Sequence, residues 1–420
     1  MRVLIVNTSE RTGGAAVAAH RLMEALNNNG VKAKMLVRDK ESNQMTVCGL
    51  THTWRHQWFF LWERFVVWCH LRLKRKHLFE VDIANCGTDI TGLPEFQEAD
   101  IIHLHWINQG MLSLKGIRQI LLSDKPVVWT MHDIWPATAI CHLTLDCRRF
   151  EQGCHHCRLL PGGGSSNDLS ALVWRRKQRM LDGQHISFVT CSEWLGGEAR
   201  KSALLAGQQV TVIPNPIDCH LYRPLDKQQT RQALGLPAEG HIILFVSQRI
   251  TNPNKGMQYL VEACQWLVDH EPTLAATTSV AILGGHAEEI ALPLRTFPLG
   301  YVNDEQRIVQ VYNAADVFVL PSLSENLPNS IMEAMACGVP SVGFRVGGIP
   351  EMIDHRENGY VADYRDAEDL ARGIRYVLAE AEYDALRQHC LQKVGQCYSQ
   401  QRVASHYIAV YEQAEKRKVD

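Results

Sequence analysis

The sequence predicts an α/β fold in two domains, each built on an open parallel β-sheet. The chain has 420 residues, which is enough for two domains and too many for one simple core. Both halves alternate short apolar strands with helical segments, starting with strands at 3–6 and 242–247. The segment 214–218 (PNPID) breaks regular structure at mid-length, so we place the domain boundary there.

These signals divide the chain into three parts. We expect a first domain at 1–214 and a second domain at 215–395. A C-terminal helix at 396–420 follows, and packing back on the first domain is one option for it.

Composition excludes several classes of protein. The chain has 43 basic and 45 acidic residues, so no global positive field favours nucleic acid. The first residues already read as a strand rather than as a secretion signal, and no stretch has the length of a membrane span. The 13 cysteines are an odd number, which favours a reducing cytoplasm over a disulfide framework. We therefore expect a cytoplasmic protein, with peripheral contact to the inner membrane left open.

Two glutamates in the second half mark a candidate ligand site. A short apolar strand at 316–320 runs into a loop that carries Glu325, and a helix starting at about Pro328 carries Glu333. Ligands bind at the carboxyl edge of open parallel sheets, and carboxylates accept hydrogen bonds from sugar or ribose diols. Two glutamates at this spacing could also be ordinary exposed residues of a helix.

Two cations follow the first strand of the second half. Arg249 and Lys255 lie six residues apart in the loop after the strand at 242–247. An arginine can bind phosphate oxygens with two parallel hydrogen bonds, and a lysine adds a point charge. The pair therefore suits a diphosphate, although two solvated surface cations would fit the loop alone.

The first half has candidate residues at corresponding strand ends. Gly13 and Gly14 follow the first strand and allow close approach of a ligand, but they do not form a G-x-G-x-x-G dinucleotide motif. His105 and Trp106 follow the strand at 100–104, and His132 follows the strand at 127–131. A plain turn and structural histidines are the alternative interpretation.

Together these segments resemble the family 4 glycosyltransferases. The resemblance rests on the Glu-x7-Glu pair within PSLSENLPNSIMEAMACGVP, on GGIPE at 347–351 and on the Arg249 to Lys255 spacing, and it covers nearly the whole chain. The family usually has Glu-Gly-Phe-Gly where this chain has Glu-Asn-Leu-Pro, a variant similar to exopolysaccharide and capsule enzymes. The resemblance implies the GT-B architecture, in which two Rossmann-like domains face each other across a cleft.

The resemblance also implies an activity. It implies a retaining hexosyltransferase that moves a sugar from a nucleotide-diphosphate sugar to a growing glycan, with a lipid-linked polysaccharide intermediate as the expected acceptor. No catalytic metal is expected. The catalytic residues it implies are His132, Arg249, Lys255 and Glu325. The donor-binding residues are Gly13, Gly14, Arg249, Lys255, Glu325, Asn326, Leu327 and Glu333, and the acceptor-side candidates are His105 and Trp106.

Two further segments have no place in that site. Residues 53–79 are rich in Trp and Phe and end in a basic cluster, which suits either contact with an anionic inner leaflet or packing on the core. Cysteines at 141, 147, 154 and 157 have the spacing C-x5-C-x6-C-x2-C. Cys141, Cys147, Cys154 and Cys157 could bind one structural zinc or remain reduced thiols.

Three other functions fit parts of the pattern. A sugar-nucleotide epimerase or phosphorylase of the same fold would need no lipid-linked acceptor. A dehydrogenase is disfavoured because neither first strand is followed by G-x-G-x-x-G. A non-catalytic sugar-binding or zinc scaffold would not need the Arg, Lys and Glu positions that this chain has.

Overall fold

The computed structural model describes residues 1–51 and 53–419, and it divides the chain into two compact units. The first unit comprises Met1–Pro216 together with the segment from Val403 onward. The second unit comprises Ile217–Arg402. The division at Ile217 lies next to the expected boundary at 215.

The first unit contains a parallel sheet of seven strands in the order β3-β2-β1-β4-β5-β6-β7. The strands are β1 Arg2–Ser9, β2 Lys32–Asp39, β3 Val47–Gly49, β4 Ile101–Leu104, β5 Val127–Met131, β6 Ser187–Thr190 and β7 Gln209–Val212. The helices of the first half of the chain are α1 Gly14–Asn28, α2 Thr53–His70, α3 Pro94–Glu98, α4 Leu114–Leu121, α5 Leu169–Leu181 and α6 Glu193–Arg200.

The second unit contains a parallel sheet of six strands in the order β10-β9-β8-β11-β12-β13. The strands are β8 His241–Arg249, β9 Thr278–Gly285, β10 Arg295–Gly300, β11 Val317–Leu320, β12 Ser341–Phe344 and β13 Gly359–Ala362. The helices are α7 Lys227–Leu234, α8 Met257–His270, α9 Pro272–Ala276, α10 Glu305–Ala314, α11 Asn329–Ala336, α12 Ile349–Met352, α13 Ala367–Arg375 and α14 Tyr383–Cys397. The last helix of the chain is α15 Gln400–Val419.

Strand sequences explain why both sheets are covered on two faces. All residues of β5 (VVWTM), β6 (SFVT) and β11 (VFVL) are buried, and such runs are typical of parallel strands with helices on both sides. Helices begin where the sequence supplies a capping oxygen. The side chains of Ser113, Asp168 and Ser192 accept hydrogen bonds from the first turns of α4, α5 and α6.

The strand order fixes where each sheet can bind a ligand. In both sheets the strand order is that of a Rossmann-like fold. All strands are parallel, and the direction in which successive strands are added to the sheet reverses next to the first strand. The reversal lies between β1 and β4 in the first unit and between β8 and β11 in the second. Helices on opposite faces leave a crevice at the carboxyl ends of these strand pairs.

The C-terminal helix α15 is part of the core of the first unit. Val403, Tyr407 and Tyr411 on this helix are buried against the first sheet. The Tyr411 hydroxyl lies 2.7 Å from Nδ1 of His103, and the Tyr407 hydroxyl lies 3.0 Å from Oγ1 of Thr130. The helix starts at Gln400 rather than at 396.

Several expected element ends differ from those observed. Pro328 is the residue before α11 rather than a member of its first turn. Strand β8 continues through Arg249, which was expected in the following loop. Helix α2 ends at His70, so the basic cluster of segment 53–79 lies in the turns beyond it. Among the described helices, none combines the length and apolar character needed to cross a bilayer.

Candidate functional site

Two loops meet at the carboxyl edge of the second sheet, after β8 and after β11. The ammonium of Lys255 lies 2.5 Å from Oε1 of Glu325. The side-chain amide of Asn254 donates to the carbonyl of Ser324 (3.0 Å), and the Leu323 amide donates to the Asn254 carbonyl (2.8 Å). The loop that carries Lys255 is therefore bonded to the loop that carries the first predicted glutamate.

Two glycines allow this close approach. Gly256 directly follows Lys255 with φ of 71°, and a Cβ there would lie 1.8 Å from the carbonyl oxygen of Pro321. Gly347 has φ of 57°, and a Cβ there would lie 1.7 Å from the carbonyl oxygen of Glu325. Any other residue at either position would meet backbone and adopt a disfavoured conformation.

Residues after Glu325 hold the loop rather than extend from it. The amide of Gly348 donates to the carbonyl of Asn326 over 2.8 Å. The Leu327 side chain is only 8 % exposed, because it packs into the protein. Leu327 therefore offers little surface to a donor.

Glu333 lies on α11 and is oriented by a buried tyrosine. The hydroxyl of Tyr312 on α10 donates to Oε2 of Glu333 over 2.7 Å. Burial and the neighbouring Glu333 carboxylate raise the pKa of Tyr312 well above its usual value, so the hydroxyl stays protonated. Arg249 ends β8 with an exposed side chain at the same edge of the sheet. The structure thus brings Lys255 and Glu325 into contact, while Arg249 ends β8 and Glu333 lies on the helix that follows the Glu325 loop.

At the carboxyl edge of the first sheet, two predicted histidines contact each other. Nδ1 of His105 lies 2.9 Å from Nε2 of His132, and Nδ1 of His132 lies 3.6 Å from Sγ of Cys191. Burial lowers the pKa of His132 to about 4, so its ring is neutral at pH 7. Both ring nitrogens of His132 have partners within the first unit. For His132 to form a hydrogen bond with a sugar, one of these two contacts would have to be replaced.

The glycine turn also lies at this edge. Gly13, with φ of 94°, immediately precedes α1, and Gly14 is the first residue of that helix. The backbone at Gly13 favours glycine, and the start of a helix of 15 residues follows it. The amino ends of helices are common binding positions for anions in proteins.

A network of hydrogen-bonded charged side chains, which extends from Trp106 in the first unit, was not predicted from the sequence. Nε1 of Trp106 donates to Oδ2 of Asp133 (3.0 Å), and Nδ1 of His142 donates to the same oxygen (2.7 Å). Nε2 of His142 donates to Oδ2 of Asp82 (2.6 Å), which also pairs with Arg64. Burial disfavours the imidazolium, but Asp133 and Asp82 outweigh that effect and raise the pKa of His142 to about 10.

The four cysteines of the C-x5-C-x6-C-x2-C pattern lie in one region of the first unit, but their sulfurs are not placed as zinc ligands. Burial, with smaller effects of neighbouring thiols, raises the pKa of Cys141 to about 11 and that of Cys154 to about 12. No three of the sulfurs of Cys141, Cys147, Cys154 and Cys157 all lie within 4.8 Å of one another. Zinc with bonds of about 2.3 Å to sulfur needs closer spacing. The donor atoms suit zinc chemically while their positions do not, so zinc stays a prediction.

Within the described residues, one group of three potential ligands is close enough for a metal. His286, Glu288 and Glu289 form this group, and all three side chains are exposed. Exposed acidic groups are common without an ion, so the group by itself indicates no site.

Two family models match the chain. A model described as Glycosyltransferase Family 4 matches residues 12–221, and one described as Glycosyl transferases group 1 matches residues 240–380. The chain belongs to glycosyltransferase family 4. Membership in family 4 confirms the resemblance inferred from the glutamate pair and its flanking residues, while the exopolysaccharide likeness stays a prediction.

Relatives of this family 4 chain carry transferase names. A D-inositol 3-phosphate glycosyltransferase of Saccharomonospora viridis is 30% identical over 217 residues, which are 49% of this chain and 50% of the relative. The matched part is thus about half the length of that relative. An uncharacterized glycosyltransferase of Methanocaldococcus jannaschii is 26% identical over 352 residues, or 79% of this chain and 89% of the relative.

Solved structures confirm the predicted GT-B fold class of this family 4 chain. Sucrose-phosphate synthase from Thermosynechococcus elongatus matches with a TM-score of 0.65 and 18% identity over 98% of both chains. Anabaena HepE in complex with UDP matches with a TM-score of 0.63 and 16% identity over 98% of this chain and all of the other. Identities this low show the fold alone.

Proposed function

We propose that this protein is a retaining glycosyltransferase that moves a sugar from a nucleotide-diphosphate sugar to a growing glycan. The observation that carries the proposal is the set of charged residues at the β8–β11 switch point, where Lys255 and Glu325 are in contact and Tyr312 orients Glu333. Two cations and two carboxylates on β8, on α11 and in the loops after β8 and β11 suit a ligand with a diphosphate, a ribose and a sugar.

Each group has a role in this proposal. Arg249 and Lys255 bind the diphosphate, Glu333 accepts from the ribose hydroxyls, and Glu325 accepts from the hydroxyls of the transferred sugar. In the reaction, the acceptor hydroxyl oxygen bonds to the anomeric carbon while the bond from that carbon to the diphosphate breaks. The acceptor proton passes to the departing diphosphate oxygen. Cations that meet the growing charge of the leaving group accelerate this step as well as binding the donor.

The comparisons support the donor class without identifying the donor. HepE has been crystallised with UDP and with UDP-glucose, and the inositol phosphate relatives are named as glycosyltransferases. UDP-sugars are therefore the first series to test, followed by GDP- and ADP-sugars.

The experiment measures thermal protection by nucleotide sugars. A ligand that binds only the folded state raises its stability with the logarithm of concentration over Kd. We expect one nucleotide series to protect the protein and Arg249→Ala to abolish that protection. No protection at millimolar concentration by any series would overturn the donor assignment and favour the scaffold alternative.

Product analysis separates the transferase from other enzymes of the same fold. A transferase releases the nucleotide diphosphate in proportion to glycan extension, and NMR of the new linkage shows the donor's anomeric configuration. An epimerase would convert the donor without any acceptor, and a phosphorylase would consume or form a sugar phosphate. Inversion at the anomeric carbon would contradict the retaining part of the proposal.

We also propose that the acceptor is attached to a lipid and that α2 contacts an anionic membrane surface. One face of α2 presents Trp54, Trp58, Leu61, Trp62 and Phe65, with Trp54 69% exposed and Trp58 59% exposed. The ring centroids of Trp58 and Trp62 are 6.3 Å apart, so the exposed rings form a continuous stripe. Aromatic side chains on one helix face with cations beside them are typical of interfacial helices.

The opposite face of α2 is fixed to the first unit, and the cations follow its end. Oε1 of Glu63 accepts hydrogen bonds from the amides of Ile83 (2.9 Å) and Ala84 (2.7 Å). The exposed cations after the helix are Arg72, Lys74, Arg75 and Lys76. Their charge fits anionic phospholipid headgroups, whereas an aromatic helix packed on the core would have buried these rings.

Vesicle binding tests this part of the proposal. We expect the full-length protein to cosediment with vesicles containing phosphatidylglycerol and much less with neutral phosphatidylcholine vesicles. Replacing Trp58 and Phe65 together by Ser should weaken binding at least tenfold, while Leu172→Ser, at an exposed apolar residue on α5, should not. Equal binding by both variants would overturn the membrane contact.

A further inference from the structure

A polar cavity of about 330 Å³ lies at the carboxyl edge of the first sheet, among residues that follow β1, β2 and β4. This is the switch point of the first sheet, where an open parallel sheet binds ligands. A volume at the lower end of the roughly 300–1,000 Å³ range of small-molecule sites suits one monosaccharide unit. The residues that decide its chemistry are Thr12, Arg38, Asp39, Glu41 and Trp106.

The one guanidinium in the wall of this cavity is already neutralised. Nε and Nη2 of Arg38 donate to the two carboxylate oxygens of Asp39 at 2.8 and 2.5 Å. Nη1 of Arg38 donates to the carbonyl of Gln109. Arg38 and Asp39 therefore cancel in charge, and three of the five guanidinium N–H groups are already bonded.

The remaining charge of the cavity is negative. Oε1 of Glu41 accepts from the hydroxyl of Thr12 over 2.9 Å and from that of Ser9 over 3.4 Å. The next cation along the chain, Lys40, donates to the carbonyl of Val47 over 2.7 Å. A phosphate in the cavity would thus meet an uncompensated carboxylate, whereas a neutral hydroxyl could donate to it.

Trp106 supplies an aromatic wall in a fixed orientation. Its backbone amide donates to Oδ1 of Asn7 over 2.9 Å, and its carbonyl accepts from the amide of Thr8 over 2.8 Å. Its indole N–H donates to Asp133 over 3.0 Å. Trp106 is among the residues that line the cavity, and with the N–H already bonded the remaining indole surface is apolar, a surface on which the C–H face of a sugar can pack.

We propose that this cavity binds the terminal sugar unit of the acceptor, and that this unit is an uncharged hexose rather than a sugar phosphate. The inference rests on the proposed transferase function, and it adds the acceptor class and the residues that select it. Trp106 packs on the sugar ring, and Glu41 and Asp39 accept from its hydroxyls. Glu41 repels a phosphorylated sugar.

Saturation-transfer difference NMR on the full-length protein tests the class of ligand. The probes are methyl glycosides of glucose, galactose and mannose, each compared with the matching hexose 6-phosphate. We expect at least one methyl glycoside to bind ten times more tightly than its phosphate. Equal or tighter binding of the phosphates, or binding of none of the three glycosides, would overturn the proposal.

Substitutions connect binding to the cavity. Trp106→Ala should weaken the glycoside at least tenfold, and Trp106→Phe, which keeps a ring, should weaken it less. Glu41→Gln should reduce the ratio of the affinity for the methyl glycoside to that for the hexose 6-phosphate at least threefold. Asp124→Asn, an exposed carboxylate before β5 at the opposite edge of the sheet, is the matched control and should change neither value. Unchanged binding in both Trp106→Ala and Glu41→Gln would place the glycoside elsewhere.

Thermal protection by nucleotide sugars, measured on the same variants, separates failures of the two proposals. If a nucleotide sugar protects all variants and no glycoside binds, only the acceptor inference fails. If no nucleotide sugar protects the unsubstituted protein, the donor proposal fails whatever the glycosides do. Unliganded melting temperatures show whether each variant is folded, and Trp106→Phe keeps the test valid if Trp106→Ala is not.

Discussion

The ammonium of Lys255 and the carboxylate of Glu325 are in contact at 2.5 Å, although they come from loops 70 residues apart. The proposed function gives them different partners, the diphosphate for Lys255 and the transferred sugar for Glu325. These two partners are directly bonded in a nucleotide sugar. Under the proposed function, the two side chains would therefore bind the groups on either side of the bond that breaks.

Separate substitutions of this pair should have different effects. We expect Lys255→Ala to weaken binding of UDP, or of whichever diphosphate protects, roughly ten- to hundredfold, since charge-assisted hydrogen bonds contribute about 1.5–3 kcal/mol. Glu325→Gln should leave diphosphate affinity within about threefold and lower kcat/KM for transfer roughly hundredfold. Calorimetry and initial rates measure the two effects. Lys393→Ala, which breaks an ion pair with Asp354 elsewhere in the unit, is the control.

Tyr312 should act on the donor through Glu333. Removing its hydroxyl in Tyr312→Phe removes the 2.7 Å hydrogen bond to Glu333, so the carboxylate is less well oriented towards a ribose. We expect KM for the nucleotide sugar to rise roughly three- to tenfold with kcat little changed, the pattern of lost uniform binding. The increase in KM caused by Tyr312→Phe should be smaller for a nucleotide sugar that carries 2′-deoxyribose. An equal loss for both donors would show that Glu333 does not bind the 2′-hydroxyl.

Gly347 should tolerate no side chain. In Gly347→Ala the Cβ would lie 1.7 Å from the carbonyl oxygen of Glu325, at a φ of 57°. We expect a loss of at least about 2 kcal/mol in unfolding free energy and a displaced Glu325 loop, with donor protection lost. Gly395→Ala is the control, because no atom lies within 4 Å of its added Cβ. A fully active Gly347→Ala protein would show that the loop can move without cost.

His142 should make the stability of the first unit depend on pH. Its folded pKa of about 10 lies above the ordinary value of 6.5, so its contribution is complete below about pH 6.5 and is lost as pH rises towards 10. We expect His142→Gln to cost about 3 kcal/mol at pH 6 and less than half of that at pH 10. Urea unfolding measures the difference. His406→Gln, at an exposed histidine on α15, should show no such trend.

Metal analysis decides the role of the four cysteines. If the sulfurs of Cys141, Cys147, Cys154 and Cys157 close around zinc, protein purified without chelators contains about one zinc per chain. Cys154→Ser should then remove it, and Cys219→Ser, at an exposed cysteine outside the pattern, should not. If the four are free thiols, as their spacing in this structure indicates, zinc is absent and all four react with a thiol reagent in denaturant.

Strand ends were the part of the site that could be predicted from the sequence. Arg249, Glu325 and His132 each follow or end an apolar run, and the carboxyl ends of parallel strands share one edge. The same reasoning applied to Arg38 and Asp39 at the end of β2 would have found the cavity of the first unit. Their mutual pairing could not have been predicted, since neighbouring charges in a sequence do not show whether they face each other.

Contacts between distant segments could not be predicted from the sequence for the same reason. Two helices and two strands separate Asp82 from Asp133 along the sequence, and only the folded chain places His142 between them. Helix α2 is a second feature for which the sequence left two interpretations open. Its composition suited either contact with an anionic membrane or packing on the core. The structure buries Arg64 and exposes Trp58, and the membrane contact stays a proposal.

The position of α15 has a consequence for the order in which the protein can mature. Tyr407 and Tyr411 complete the core beneath β4 and β5, yet they are translated after the whole second unit. The interior of the first unit is therefore incomplete until the last helix of this sequence has been made. The part of the sequence that is synthesised first needs one of the last elements to be synthesised before its core is filled.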